Sequence, residues 1–167
     1  MTVSQGLFLI GFSLVLLAVV IFAAIVLRDA ARMGSSANVT RSFFRRLRRP
    51  SAERAELDRW AFYAHRLSGF AVFAFLLLHI VDISLFSLSR ARYDDVHKLY
   101  GSVVLRCFEC GLLFAILFHA FNGLRLLSID LVNLRIETSR RLLLAAVTLT
   151  IAGGAAGSVV ILKPLFA

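Results

Sequence analysis

A few side chains in this sequence can do chemistry in apolar surroundings. His65 and Arg66 are adjacent, His79 and Asp82 follow them, and a later apolar run holds Cys107, Glu109, Cys110, His119, Asn122 and Arg125. An ionisable group among hydrocarbon is costly and marks a functional site by default. An imidazole is a metal ligand, and a guanidinium grips a carboxylate through two parallel hydrogen bonds. The CxxC pair is less informative. Two thiolates cannot complete an iron–sulfur cluster, which takes four ligands. No thioredoxin-like surroundings flank Cys107 and Cys110, so they read as small packing residues.

Spacing adds a shape to these groups. Steps of four place Gly111, Ala115, His119 and Gly123 on one helical face. One imidazole over a floor of small residues leaves room for a porphyrin, and the same pattern equally serves helix packing around a hydrogen-bonded histidine. His65, Gly69, Val72, Leu76 and His79 form a second stripe. At about 1.5 Å per residue, His119 lies roughly 12 Å from Leu127, His65 roughly 8 Å from Trp60, and His79 roughly 28 Å from Trp60. Two imidazoles on one iron have nitrogens about 4 Å apart, taking each metal–nitrogen bond as near 2 Å. His79 therefore cannot share an iron with His119, whereas His65 or a histidine of another subunit lies at a compatible depth. Arg66 and Arg125 fall on the same side of His119, where they could meet porphyrin carboxylates, bind a quinone carbonyl, or snorkel to the interface.

Membrane-spanning helices must position these groups. The chain is 59% hydrophobic, beyond the usual share of a soluble domain. Leu7 to Leu27 and Leu142 to Leu162 carry no charge. Leu67 to Leu78 continues past His79 and Asp82 to Leu88, and Leu99 to Leu127 carries Arg106, Glu109, His119 and Arg125. Each stretch approaches or exceeds the ~20 residues of a spanning helix. The fold class is all-α integral membrane with four transmembrane helices.

The net charge of +9 is concentrated, with nine arginines between Arg28 and Arg59. That distribution reads as a positive-inside flank, with anionic lipid or an acidic soluble partner as a further possibility, and no nucleic-acid role is expected. It predicts a cytoplasmic loop over 28–59, with the Met1 end, the 89–98 loop and the tail after Leu162 outside, and the 128–141 loop inside. No basic stretch precedes the first apolar segment, so that segment is expected to be a retained anchor and not a cleaved signal. Ser51 to Trp60 reads as a short amphipathic helix or a lead-in to the second span. GGAAG at Gly153 to Gly157 lies within the fourth span and suits close helix packing. No phosphate-binding glycine loop exists, and the polar stretch cannot hold a nucleotide-binding domain. Flavin and iron–sulfur chemistry therefore belongs to other chains.

Two motifs carry a family resemblance. HRLSG (His65 to Gly69) resembles the HRxTG/HRxSG signature of the cytochrome b membrane-anchor subunit of succinate dehydrogenase, and HAFNGLRLLSID (His119 to Asp130) resembles its H-x-x-N-G-[IL]-R-x-L-x-x-D signature. LLLHIVD (Leu76 to Asp82) and FECGLLFAILFH (Phe108 to His119) look like the bacterial C-subunit branch. The resemblance covers roughly residues 60–162 and implies a three-helix cytochrome b anchor domain over 60–167. Ahead of it lie an extra transmembrane helix over 1–28, expected on the bundle or at an oligomer interface, and a basic loop over 29–59.

The resemblance also implies haem b, with His119 as axial ligand to the iron and the second axial histidine on a companion anchor subunit. It places His65, Arg66 and Arg125 near the haem, and Arg66, Ser68 and Trp60 near a quinone, menaquinone or ubiquinone. FAD and iron–sulfur clusters are expected on a flavoprotein and an iron–sulfur subunit alone, so this chain would be a non-catalytic anchor in the bacterial inner membrane, in a complex that could oligomerise further. Two positions depart from the family pattern: Phe62 replaces a serine of the quinone pocket, and Leu126 replaces a second histidine. His79 and Asp82 are candidates for a distal quinone or haem site or a proton path, with Glu109 as a polar partner for them or for Arg106. Rival readings are a quinol:fumarate reductase anchor, a different di-haem cytochrome b, and a non-redox transporter or assembly factor.

Overall fold

The computed structural model describes residues 2–33, 54–132 and 136–166. The elements in chain order are α1 (Val3–Met33), α2 (Arg54–Leu88), α3 (Arg90–His97), a 3-10 turn (Lys98–Gly101), α4 (Val103–Val132), α5 (Ile136–Leu162) and a closing 3-10 turn (Lys163–Leu165). No strand occurs among the described residues. Four helices carry apolar windows long enough to cross a bilayer: Val3–Asp29, Arg59–Leu88, Val103–Val132 and Thr138–Leu165. Backbone groups in hydrocarbon must be paired within their own segment, which is why unbroken helices of this length form.

Two expectations about the connections change. The 89–98 stretch is not an open loop, because α3 occupies most of it. Arg92 and Tyr93 donate backbone N–H bonds to the Ser89 carbonyl, and Val96, with none of its surface exposed, anchors the short helix. The Ser51–Trp60 segment is a lead-in, since α2 begins at Arg54 and continues unbroken; Ser51 to Glu53 lie outside the described residues, as does most of the arginine-rich loop.

The helices meet through small or aromatic side chains. On α5, a Cβ at Gly154 would stand 2.3 Å from a Phe114 ring carbon, and one at Gly157 would stand 2.4 Å from Leu113 Cδ2. These glycines let α5 lie against α4, which matters because lipid supplies no hydrophobic drive for helix association and close packing must take its place. Helix α1 seats by ring contacts, Phe22 stacking on Phe70 at 4.3 Å and Phe12 meeting Phe108 edge-on at 4.9 Å. Hydroxyls within the spans are satisfied locally: Thr150 donates to the Ala146 carbonyl and Ser128 to that of Leu124. Large apolar side chains such as Ile21, Phe73, Ile80 and Val159 remain exposed, as expected of faces turned to lipid or to other membrane chains.

Candidate functional site

α2 and α4 run antiparallel and bring His65 and His119 together. Their rings lie 4.1 Å apart, centroid to centroid, inclined by only 5°. The arrangement is reciprocal, because each histidine packs on the glycine four residues beyond the other. A Cβ at Gly69 would stand 2.8 Å from His119 Cε1, and one at Gly123 would stand 3.4 Å from His65 Cε1. The HxxxG spacing in both motifs thus builds one interlocked pair. The expected small-residue groove changes accordingly, since Gly123 is covered by His65, whereas Gly111 has nothing within 4 Å of its missing side chain.

His119 is held by one ring nitrogen. Its Nδ1 lies 3.2 Å from the His65 carbonyl oxygen and 3.4 Å from Ser68 Oγ. A carbonyl only accepts, so Nδ1 carries the proton and Nε2 keeps its lone pair. Ser68 is 6% exposed and donates its own proton to the His65 carbonyl at 3.0 Å. A metal-binding histidine is normally fixed this way, its second nitrogen donating to a carbonyl. His119 fits a haem ligand on that count. His65 does not fit as the opposite ligand, because imidazoles sharing an iron point end-on at it from both sides, and face-to-face rings leave no space for a metal between them. The depth estimate holds, but level alone does not make the two an axial pair. His65 Nδ1 is buried and without a hydrogen-bond partner.

The two arginines go to different places. Arg66 is exposed, with its guanidinium 4.8 Å from the Phe62 ring centroid, and so is open to a ligand or another chain. Arg125 is 6% exposed and ties α4 to α5: Nε donates to the Ser139 carbonyl (3.0 Å), one terminal nitrogen to Ser139 Oγ (2.7 Å) and the other to Asn122 Oδ1 (3.3 Å). Asn122, fully buried, leaves its Nδ2 unpaired. Sequence reasoning passed over Asn122 and Ser139. The spacing of three from Asn122 to Arg125 was the available signal for the first, and nothing in the sequence ties Ser139 to Arg125. Trp60 lies half-buried at this end of α2.

The other candidates are elsewhere. His79 is exposed and stacks on Phe75, about 21 Å along α2 from His65 at 1.5 Å per residue. Asp82 is 5% exposed and accepts a hydrogen bond from the Tyr100 hydroxyl at 3.1 Å. Arg106 does not use Glu109 as its hydrogen-bond acceptor; it donates to the Ile161 carbonyl at 2.7 Å, answering one of the open carbonyls at the α5 C-terminus. Cys107 and Cys110 are free thiols, and no cluster of three or more metal-ligating side chains occurs among the described residues.

A multi-pass helical membrane protein with a histidine pair at one end of its bundle is the class that fold and geometry define. The chain belongs to the succinate dehydrogenase/fumarate reductase transmembrane subunit family, which it matches over residues 38–157; most of α1 lies outside that match. It is 36% identical over 95 residues to the succinate dehydrogenase 2 membrane subunit SdhC of Mycobacterium tuberculosis (strain ATCC 25618 / H37Rv), covering 56% of this chain and 70% of that one. It is 30% identical over 92 residues to the succinate dehydrogenase hydrophobic membrane anchor subunit of Halobacterium salinarum, covering 54% of this chain and 70% of that one. No solved structure matches it. The protein is thus a membrane subunit of a respiratory enzyme complex.

Proposed function

We propose that this chain anchors a succinate:quinone oxidoreductase in the bacterial inner membrane and supplies one of two axial ligands to a b haem. The carrying observation is the His119 ring, whose Nδ1 is committed to the His65 carbonyl and Ser68 and whose Nε2 is left for iron. The second axial imidazole comes from a companion anchor subunit, because His65 is stacked on His119 and cannot oppose it. The haem, when bound, supplies a one-electron redox centre within the membrane. His65 Nδ1 and Asn122 Nδ2, both buried and unpaired, can donate to acceptor atoms at its edge. Arg125 acts through Asn122 and α5 and not as a free carboxylate clamp.

Arg66 is the quinone-facing group. It is exposed beside Phe62, where its guanidinium can donate to a menaquinone or ubiquinone carbonyl. Ser68 is turned to His119, so its part is to hold the imidazole and not to bind the quinone directly. Trp60, half-buried at the same end, borders this region. Flavoprotein and iron–sulfur subunits dock on the face that carries the arginine-rich loop, which is cytoplasmic, with the N-terminus outside. Succinate oxidation occurs on those subunits, and this chain contributes position, a ligand and electrostatics.

The test is a reduced-minus-oxidised spectrum of the purified complex. A b-type band is expected in the wild type and its loss in His119→Ala. A wild-type complex without the band, or a mutant that keeps it in full, removes the haem assignment.

A further inference from the structure

At the end of the bundle remote from His65 and His119, α1, α2, α4 and the connection over 89–102 enclose a cavity of about 420 Å³, within the range of small-ligand sites. Asp82 lines it. Tyr100 satisfies Asp82 Oδ2, but Oδ1 is buried and has no partner. A carboxylate oxygen left so in apolar surroundings is costly unless a donor or a positive charge completes it. Glu109 lines the same space, and among the described residues no lysine or arginine does.

The wall is a run of rings in contact. Phe108 meets Phe12 at 4.9 Å, and Phe8 meets Tyr100 at 5.9 Å. Tyr100 continues to His97 at 4.9 Å, and His97 to Tyr93 at 4.8 Å. Burial, then Asp82, holds the Tyr100 phenol well above the usual tyrosine range, and Glu109 adds to the effect. The space is therefore electronegative. Aromatic faces around carboxylates are the chemistry that recognises an ammonium group. An anion would meet two carboxylates, and a carbonyl would leave Asp82 Oδ1 unanswered.

We propose that this cavity binds the ammonium head of a primary amine carried on an apolar body, with the N–H donated to Asp82 Oδ1 and the cation set against the aromatic wall. The site is independent of the haem at the other end. Its amine is either a lipid head group or a free amphiphilic amine.

Binding of tritiated phenethylammonium to the intact complex in a neutral detergent tests this. Two uncharged competitors are used on the wild type: propylbenzene, which has a methyl in place of the ammonium, and phenylethanol, which keeps a donor without charge. Unlabelled phenethylammonium is expected to displace the label at about tenfold lower concentration than either. Equal potency of propylbenzene or phenylethanol overturns the proposal. Asp82→Asn keeps the shape and the Tyr100 contact and is expected to weaken binding about tenfold, with Glu109→Gln weakening it less; unchanged affinity in a folded, haem-replete Asp82→Asn complex overturns it too. Nanodiscs distinguish the sources. Weaker phenethylammonium binding in phosphatidylethanolamine than in phosphatidylglycerol supports a lipid amine, and equal binding in the two supports a free one.

Discussion

The two ends of the bundle leave opposite chemistry unfinished. At the His65 end the buried atoms without partners are nitrogens, His65 Nδ1 and Asn122 Nδ2. At the Tyr100 end the atom facing the cavity is an oxygen, Asp82 Oδ1. Nitrogen donors suit a ligand that brings acceptors, such as carboxylates or carbonyls. A carboxylate suits a ligand that brings donors. Buried polar groups are normally paired, so one short chain that leaves both kinds open has two ends built for different company. The packing differs in the same sense: at the first end histidines interlock on glycines, and at the second, aromatic rings stand around a void.

The sharpest way to break this comparison is to disturb the interlock. The two glycines look equivalent in sequence, but their clearances are not. Gly69→Ala forces a Cβ to 2.8 Å from a ring that is already held at Nδ1, whereas Gly123→Ala meets His65 at 3.4 Å. Overpacking of this kind costs about 1–3 kcal/mol. Gly69→Ala is therefore expected to lose most of the b-type absorbance, and Gly123→Ala to keep it, in complexes purified side by side. Equal loss in both would show that the reciprocal pair is not held as described.

Next in size is Arg125→Ala. It removes the three hydrogen bonds that join Asn122 and Ser139 and leaves Asn122 Oδ1 buried without its donor. A cost of about 1–3 kcal/mol is expected, read as a lower midpoint for thermal loss of the assembled complex. If Arg125 instead gripped a haem carboxylate directly, the mutant would lose haem at unchanged thermal stability.

At the opposite end, Tyr100→Phe removes the hydroxyl that Asp82 accepts. About 1 kcal/mol is expected from a bond to a partly screened carboxylate. The pH dependence has a definite sign. The phenol is raised in the folded chain, so its contribution is fully present below the ordinary tyrosine value of about 10. It declines as pH rises above that value. The stability difference between Tyr100→Phe and wild type should hold steady from neutral pH upward and narrow only in strong alkali. Narrowing already near pH 8 would contradict the assignment.

Much of this was legible in the sequence, and the reasons it stopped are physical. Hydropathy gave the four spans because a bilayer imposes a length. The 1.5 Å rise placed His65 and His119 at one level and His79 far away. Rise gives depth but not rotation about the helix axis, so neither the stacking of the rings nor the turn of Arg125 toward Ser139 could be read. The α3 helix was missed because its eight polar-rich residues have no apolar period, and one buried valine holds them. The Tyr100–Asp82 bond depends on that helix folding the 89–102 connection back over the bundle, so it was hidden for the same reason.

The smallest expected effect is the most diagnostic for His119. Ser68 Oγ is 3.4 Å from Nδ1, a weak acceptor beside the 3.2 Å carbonyl. Polar contacts between membrane helices average about 0.6 kcal/mol, which for a one-electron couple corresponds to roughly 25 mV. An acceptor on Nδ1–H makes the imidazole a stronger donor to iron and favours the oxidised state, so Ser68→Ala should raise the haem potential by about that amount. Ser68→Thr keeps the hydroxyl and should restore it. Redox titration of the b-type band reads this shift without reference to turnover. A quinone-binding Ser68 would instead change the apparent affinity for quinone and leave the potential where it was, so the two roles separate on one pair of variants.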